Sequence, residues 1–192
     1  MNWLLNPLAG LKLRSLDKRD VNAIVALAGR SFNSQHVASQ VQEELNAYVK
    51  TGADQIPLRE QKDTFLWVSY YVLVLSRPSE EEILGITGLY HPVWAGDGVY
   101  WLGWYGTDAR FHGHGYGIVL LKASMELARA QGGRLLCVET SRELGSAVSL
   151  YRKMGFCERG NVPDYWAPGE NLIIMARNLD DIEVPKGVDW NG

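Results

Sequence analysis

The stretch that decides the fold is Arg110-Phe111-His112-Gly113-His114-Gly115-Tyr116-Gly117, which lies between two regular segments. Residues 98–107 upstream are aromatic and β-prone, and residues 118–130 downstream have the spacing of an amphipathic helix. Glycines between a strand and a helix let backbone N–H groups approach a ligand closely, and the helix N-terminus adds partial positive charge. With the charge of Arg110 at its entrance, this loop predicts a phosphate site, and pyrophosphate fits best.

The spacing of the glycines narrows the choice of ligand. A P-loop needs Gly-Lys-Ser or Gly-Lys-Thr, and neither occurs in the chain. A Rossmann fingerprint needs its third glycine where this chain has Ile118. The loop instead fits R-x-x-G-x-G, as Arg110, Gly113 and Gly115. A nucleotide-binding protein that uses the glycines differently stays open as an alternative.

The rest of the chain predicts the element order β-α-α-β-β-β-α-β-α-β-β. Strands are predicted over residues 11–16, 64–76, 83–90, 98–107, 134–140, 157–159 and 171–177. Helices are predicted over residues 21–32, 37–49, 118–130 and 144–154, with Asp17 and Ser34 as candidate N-caps of the first two. Residues 51–63, 77–80, 92–98 and 160–170 are predicted as loops or turns, because glycine, proline and charged residues are frequent there.

A second signature lies in the last predicted helix. Leu150-Tyr151 and Gly155-Phe156, with Ala147 before them, form an Ala-x-x-LY-x-x-x-GF segment. The two signatures in this order resemble the GCN5-related N-acetyltransferase (GNAT) family, which binds acetyl-coenzyme A. The resemblance covers about residues 11–179.

The resemblance implies a fold and a cosubstrate. We expect a single α/β domain over 1–192, with a core of about 11–179 and a C-terminal tail at 180–192. Its sheet is expected to be mixed, mostly antiparallel, of about seven strands flanked by about four helices. By the same resemblance, the backbone near Trp104 and Tyr105 pairs with the pantetheine arm and donates an N–H to the thioester oxygen. The residues expected to hold acetyl-CoA are Trp104, Tyr105, Arg110, Phe111, His112, Gly113, His114, Gly115, Tyr116 and Gly117.

Acetyl transfer to an amine needs a neutral amine and a proton for the departing thiolate. Amines are mostly protonated at neutral pH, so a base must act, whereas a phenol keeps its proton and can donate it. The resemblance makes that phenol Tyr151. Residues 100–105 lack the glutamate that many family members carry on the fourth strand.

Glu139 is the candidate base, twelve positions before Tyr151. A glutamate and a tyrosine at this spacing resemble the base and acid of the subgroup that acetylates protein N-termini, including ribosomal-protein acetyltransferases. Burial at the end of an apolar strand would raise its pKa, which suits a base near neutrality. A surface glutamate, or one paired with Arg142, is an equally good interpretation of the sequence.

Tyr165 and Trp166 occupy the place of a tyrosine pair that holds the substrate amine in that subgroup. Tryptophan in the second position keeps a ring and loses the hydroxyl. Leu144 stands where the family often has an asparagine that contacts the pantetheine arm, so one cofactor hydrogen bond is not expected here.

Composition excludes several classes of function. A net charge of −3 and a pI near 5.8 give no reason to expect nucleic acid, and no apolar stretch is long enough to span a membrane. The N-terminus does not resemble a signal peptide, so a cytoplasmic protein is expected.

His112 and His114 share one loop without a carboxylate at ligand spacing, so no metal is expected. Neither Cys137 nor Cys157 lies where a covalent acetyl carrier is needed, which favours direct transfer.

The sequence therefore predicts an acetyl-CoA-dependent N-acetyltransferase that acts on a primary amine of a peptide or small molecule through a ternary complex. The family-level expectation for its assembly is a homodimer. A catalytically inactive CoA-binding sensor or interaction module of the same fold is the alternative.

Overall fold

A computed structural model describes residues 3–6, 10–32, 35–51, 65–76 and 81–183 of the 192-residue chain. The α-helices in these residues are α1 Val21–Ser31, α2 Gln35–Thr51, α3 Tyr116–Ala130 and α4 Gly145–Lys153. The strands are β1 Trp3–Asn6, β2 Leu11–Ser15, β3 Phe65–Ser76, β4 Glu81–Pro92, β5 Val99–Leu102, β6 Gly106–Thr107, β7 Leu135–Ser141, β8 Cys157–Ala167 and β9 Glu170–Asn178.

All of these strands belong to one open sheet. The order is β1-β2-β3-β4-β5-β7-β9-β8, and β6 pairs separately with β4. Every neighbouring pair is antiparallel except β5 and β7. The predicted fold class, a mixed and mostly antiparallel sheet with four helices, is confirmed.

Helices cover both faces of the sheet, which explains why β3 is apolar at nearly every position. Successive side chains of a strand point to opposite faces. Leu73 packs in the cluster that contains α3 and α4, whereas Val72 and Val74 pack in the cluster that contains α1 and α2. A strand buried on both faces therefore needs apolar residues at every position rather than at alternate ones.

Two features of the sheet differ from the prediction. β1 pairs with β2 at one edge, although residues 1–13 have only short apolar pieces and no strand was predicted at 3–6. The predicted fourth strand is broken into β5 and β6. These two changes account for the larger number of strands.

The predicted loop at 160–170 was wrong over most of its length. β8 runs through Cys157–Ala167 and pairs with β9 along an edge of the sheet. Most of β8 is exposed on both faces, so it needs no alternation of apolar residues and its polar sequence resembled a loop. The ladder is interrupted between Val162 and Ala167, where Asp164 has a φ of 53°.

Asp17 caps the 3-10 helix Lys18–Asp20 that precedes α1, whereas the N-cap position of α1 itself is Asp20 rather than the predicted Asp17. The side chain of Asp17 accepts from the backbone N–H of Arg19, and the Asp20 carboxylate accepts from the backbone N–H of Asp17 in return. This capping box opens the 3-10 helix that leads into α1. The predicted cap at Ser34, the loop over 52–63, the turn at 77–80 and the tail beyond 183 lie outside the described residues.

Candidate functional site

The site begins where two parallel strands separate. β5 pairs with β7 from Val99 opposite Leu135 to Leu102 opposite Val138, and the pairing then ends. Beyond it the chain turns towards β4, and the N–H of Gly103 donates to the carbonyl of Gly88 at 2.7 Å. β7 continues beside β9 as far as Ser141. A gap therefore opens between residues 103–107 and the end of β7.

The glycine loop lies at one end of this gap. Gly113 and Gly115 have φ values of 82° and 81°, in the left-handed region that favours glycine. Gly115 is also the N-cap of α3, so the first N–H groups of a 15-residue helix follow directly. A Cβ atom at either glycine would meet no other atom within 4 Å. The loop thus offers open space beside backbone donors, which fits a bound pyrophosphate.

Gap and loop form one cavity of about 590 Å³. Its walls come from the end of α1, the gap, the glycine loop, the end of β7 and α4. Residues predicted to act in catalysis or cosubstrate binding that line it are Trp104, Tyr105, Phe111, His112, Gly113, Gly115, Tyr116, Gly117, Glu139 and Tyr151. Two signatures that are distant in sequence therefore meet in one space.

Tyr151 is the buried phenol of the cavity. Its side chain comes from α4 and is 4% exposed, with ring contacts to Tyr105 at 5.9 Å and Phe156 at 5.6 Å between centroids. Burial raises the pKa of Tyr151 well above its ordinary value. Its hydroxyl has no hydrogen bond to any described residue, whereas the hydroxyl of Tyr105 donates to the carbonyl of Gly117 at 2.7 Å. Of these two tyrosines, only Tyr151 keeps its proton uncommitted.

Glu139 lies on β7 just beyond the point where the pairing with β5 ends. Its side chain is open to solvent, yet desolvation by the surrounding protein raises the pKa of its carboxyl. Arg142 does not pair with it but donates to Glu158 at 2.9 Å. No ion pair of Glu139 exists within the described parts of the chain. A carboxylate with a raised pKa and no cation partner can accept a proton.

Arg110 has a different environment from the one predicted. Its guanidinium donates to the Asp108 carboxylate at 3.0 Å and 2.8 Å, and Arg30 of α1 donates to the same carboxylate at 3.1 Å and 2.5 Å. Burial alone would raise the pKa of Asp108, but the hydrogen bonds from the two arginines outweigh it and hold that pKa far below its usual range. Arg110 therefore does not bring an unpaired charge to the loop entrance, and it does not line the cavity.

The other predicted binding residues lie apart from the cavity walls. His114 stacks on Tyr116 at 5.9 Å outside the cavity lining. Tyr165 and Trp166 contact each other edge to face at 4.7 Å, are 56% and 52% exposed, and do not line the cavity either. By contrast, Leu144, which stands where the family often has an asparagine, does line the cavity, and its side chain is 46% exposed.

Two carboxylates near the cavity were missed in the sequence. Asp108 binds the end of α1 to the glycine loop, a link that the hydroxyl of Ser31 strengthens by donating to the carbonyl of Thr107 at 2.8 Å. Glu44 of α2 accepts from the indole N–H of Trp104 at 2.7 Å. A signal for Glu44 was present, because it lies three residues after Val41 and four before Tyr48, on the buried stripe of the helix.

In the part of the chain that the structure describes, no three His, Cys, Asp or Glu side chains gather as metal ligands. None of the described helices is long and apolar enough to cross a membrane.

Comparison of the sequence with curated proteins gives no significant match. Solved structures do match. A protein of the GNAT family from Desulfovibrio desulfuricans aligns with a TM-score of 0.72 and 19% identity, over 88% of this chain and 99% of that one. The ribosomal-protein-S18-alanine N-acetyltransferase from Escherichia coli aligns with a TM-score of 0.64 and 16% identity, over 93% and 99%. Spermidine N-acetyltransferase from Vibrio cholerae, in complex with CoA and spermine, aligns with a TM-score of 0.66 and 14% identity, over 88% and 96%.

These structural matches share the fold, and the sequence itself carries the family assignment. The profile described as the Acetyltransferase (GNAT) family matches residues 38–156, from α2 through the glycine loop to the end of the second signature. More than half of the chain is covered by that match. The chain belongs to the GNAT family of acetyltransferases.

Proposed function

We propose that the chain is an acetyl-CoA-dependent N-acetyltransferase that moves the acetyl group directly to a primary amine. The observation that carries this proposal is the meeting of three features in one cavity. These are the glycine loop, the uncommitted phenol of Tyr151 and the unpaired carboxylate of Glu139. They supply an anion cradle, a proton donor and a proton acceptor.

In the proposed reaction, the amine nitrogen attacks the thioester carbonyl of acetyl-CoA. A C–N bond forms and the C–S bond breaks, so the thiolate of CoA leaves with the electron pair. Tyr151 donates its proton to that sulfur, and Glu139 accepts the proton that the amine must lose, directly or through water. No step uses a cysteine. Cys137 is buried and burial raises its pKa to about 11, which makes it a poor nucleophile at neutral pH.

For the cosubstrate, the open space at Gly113 and Gly115 and the N-terminus of α3 support a pyrophosphate site. The gap between residues 103–107 and β7 supports a pantetheine site. The pairing of β5 with β7 ends before this gap, so among the described strands no backbone hydrogen bonds join its two walls. Acetyl-CoA supplies the activated acyl group. One similar structure was solved with CoA bound.

The carboxylate of Glu139 and the acceptors of structurally similar enzymes both support an amine as the acetyl acceptor. Glu139 has no cation partner among the residues that the structure describes, and a cationic amine would supply one. The structurally similar proteins include N-acetyltransferases for spermidine and for the alanine of a ribosomal protein. Both are amine acceptors, one a polyamine and the other a peptide.

The test is acetyl-CoA turnover with a panel of amines, measured as release of free thiol. The panel contains peptides with free α-amino groups, lysine peptides, polyamines and small amines. We expect amine-dependent thiol release with at least one class, and calorimetric binding of acetyl-CoA and CoA but not of NAD. Binding of acetyl-CoA without turnover for any amine would favour the catalytically inactive CoA-binding module.

A further inference from the structure

Glu44 is a partly buried carboxylate held by two neutral donors. The hydroxyl of Tyr70 donates to one oxygen, and the indole N–H of Trp104 donates to the other at 2.7 Å. Burial raises the pKa of Glu44, and the two hydrogen bonds oppose that rise. Glu44 makes no ion pair with any described residue. Both oxygens are thus committed to holding two aromatic side chains.

The two donors differ in what they connect to. Tyr70 is 1% exposed, lies on the central strand β3 and packs against Tyr48 of α2 at 5.1 Å between centroids. Trp104 lies at the other end of the link, in the three residues between β5 and β6 that border the gap. Glu44 therefore joins a rigid part of the core to the wall of the cavity.

Trp104 packs against the core cluster of α1 and α2, and its only hydrogen bond to a described residue is the one to Glu44. Its ring meets Phe32 edge to face at 6.1 Å, and both side chains line the cavity. The indole has a single polar atom, a donor, and a hydrogen bond to a carboxylate is short and directional. The hydrogen bond to Glu44 therefore orients the indole ring within this packing, beside the backbone of residues 103–105.

We propose that Glu44 is a positioning residue of the acetyl-transfer site, which acts through the indole of Trp104 on the cavity wall formed by residues 103–105. This inference rests on the proposed function, since that wall is where the pantetheine arm and the thioester are expected to bind. Glu44 does not line the cavity and is not expected to touch the substrates.

The experiment is a double-mutant cycle of Glu44→Leu and Trp104→Phe. Each single variant removes one partner of the same hydrogen bond, so we expect each to lose about ten- to a hundredfold in kcat/KM for acetyl-CoA. The double variant should lose no more than the worse single variant. Calorimetric affinity for acetyl-CoA should fall in the same non-additive way. Losses that multiply in the double variant would overturn the proposal.

Two conservative variants separate positioning from other roles. Glu44→Gln keeps an acceptor for the indole and should recover most of the activity lost in Glu44→Leu. If Gln is as damaging as Leu, the charge itself acts and positioning is wrong. Glu43→Gln, at the neighbouring exposed position of α2, is the matched control for loss of one negative charge and should leave kcat/KM unchanged.

The outcome can be read even if Glu44→Leu does not fold. Trp104→Phe keeps an aromatic ring but removes the donor and part of the indole, and wild-type kcat/KM and affinity in that variant would overturn the proposal alone. A wild-type chain that neither binds nor turns over acetyl-CoA would instead refute the proposed function. An active wild type with multiplying losses refutes only the role of Glu44.

Discussion

Replacing Tyr151 with phenylalanine tests the proposed proton donor with little disturbance of the structure. The ring contacts to Tyr105 and Phe156 are retained, because phenylalanine fills the same volume. The hydroxyl makes no hydrogen bond to a described residue, so the free energy of unfolding should change by less than about 1 kcal/mol.

The expected loss lies in catalysis. A general acid contributes about 10²–10⁴ to the rate, which corresponds to about 2.7–5.4 kcal/mol of barrier. We expect a decrease of this size in kcat in a thiol-release assay, with the calorimetric affinity for acetyl-CoA unchanged. Because burial raises the pKa of Tyr151, the phenol stays protonated at neutral pH and is available to donate.

Tyr105→Phe is the matched control. It removes a hydroxyl that donates to the carbonyl of Gly117, so it should lower stability by about 1 kcal/mol and reduce kcat much less than Tyr151→Phe. Activity of Tyr151→Phe within about threefold of wild type would refute Tyr151 as the acid. So would a loss confined to acetyl-CoA affinity, since a proton donor to the leaving group acts after binding.

Three further predictions follow from the site. In the wild type, kcat/KM should rise with pH as the Glu139 carboxyl, whose pKa is raised, loses its proton, and Glu139→Gln should lose that rise. The deficit of the variant should shrink at high pH, where the amine deprotonates unaided. Full activity of the variant at all pH values would remove Glu139 from the mechanism. Gly115→Val should abolish acetyl-CoA binding and lower stability by about 1–2 kcal/mol because of the left-handed φ, whereas Gly115→Asn, which tolerates that φ, should block binding with less destabilisation; unchanged calorimetric affinity in the valine variant would contradict the assignment of the loop. Asp108→Asn should destabilise the fold by about 2–4 kcal/mol in urea unfolding at pH 7, because it removes the charged acceptor of both ion pairs. Since folding lowers the pKa of Asp108, this difference in stability should be complete above about pH 4 and shrink below it. A difference that stays constant down to pH 2 would be inconsistent with the ion pairs.

The elements around the glycine loop could be predicted because their signals are local. The R-x-x-G-x-G spacing, the apolar stripe of α3 and the residues that end α4 all lie within short windows of the sequence. Tyr151 and Glu139 were paired through the family resemblance, and the structure has both residues lining the same cavity.

The position of Glu44 on the buried stripe of α2 was a signal of burial, but the roles of Glu44 and Asp108 could not be predicted because Trp104 and Arg30 are remote in sequence. Glu44 and Trp104 are separated by 60 positions, and Arg30 and Asp108 by 78. Only the folded sheet and the packing of α1 and α2 against it bring these groups together. The environment of Arg110 was also not predicted, although its partner Asp108 is only two positions away, because nothing local in the sequence indicates that this carboxylate is buried and shared with Arg30.

The interrupted ladder of β8 affects how the chain can associate with itself. An edge strand with free N–H and C=O groups can pair with the edge of another molecule. Along β8, register shifts occur between Glu158 and Gly160 and again between Val162 and Ala167, and Pro163 in the second interruption has no N–H to donate. The uninterrupted edge is therefore too short to template a continuous intermolecular sheet. Strand pairing between copies of the chain along β8 should not lead to fibres.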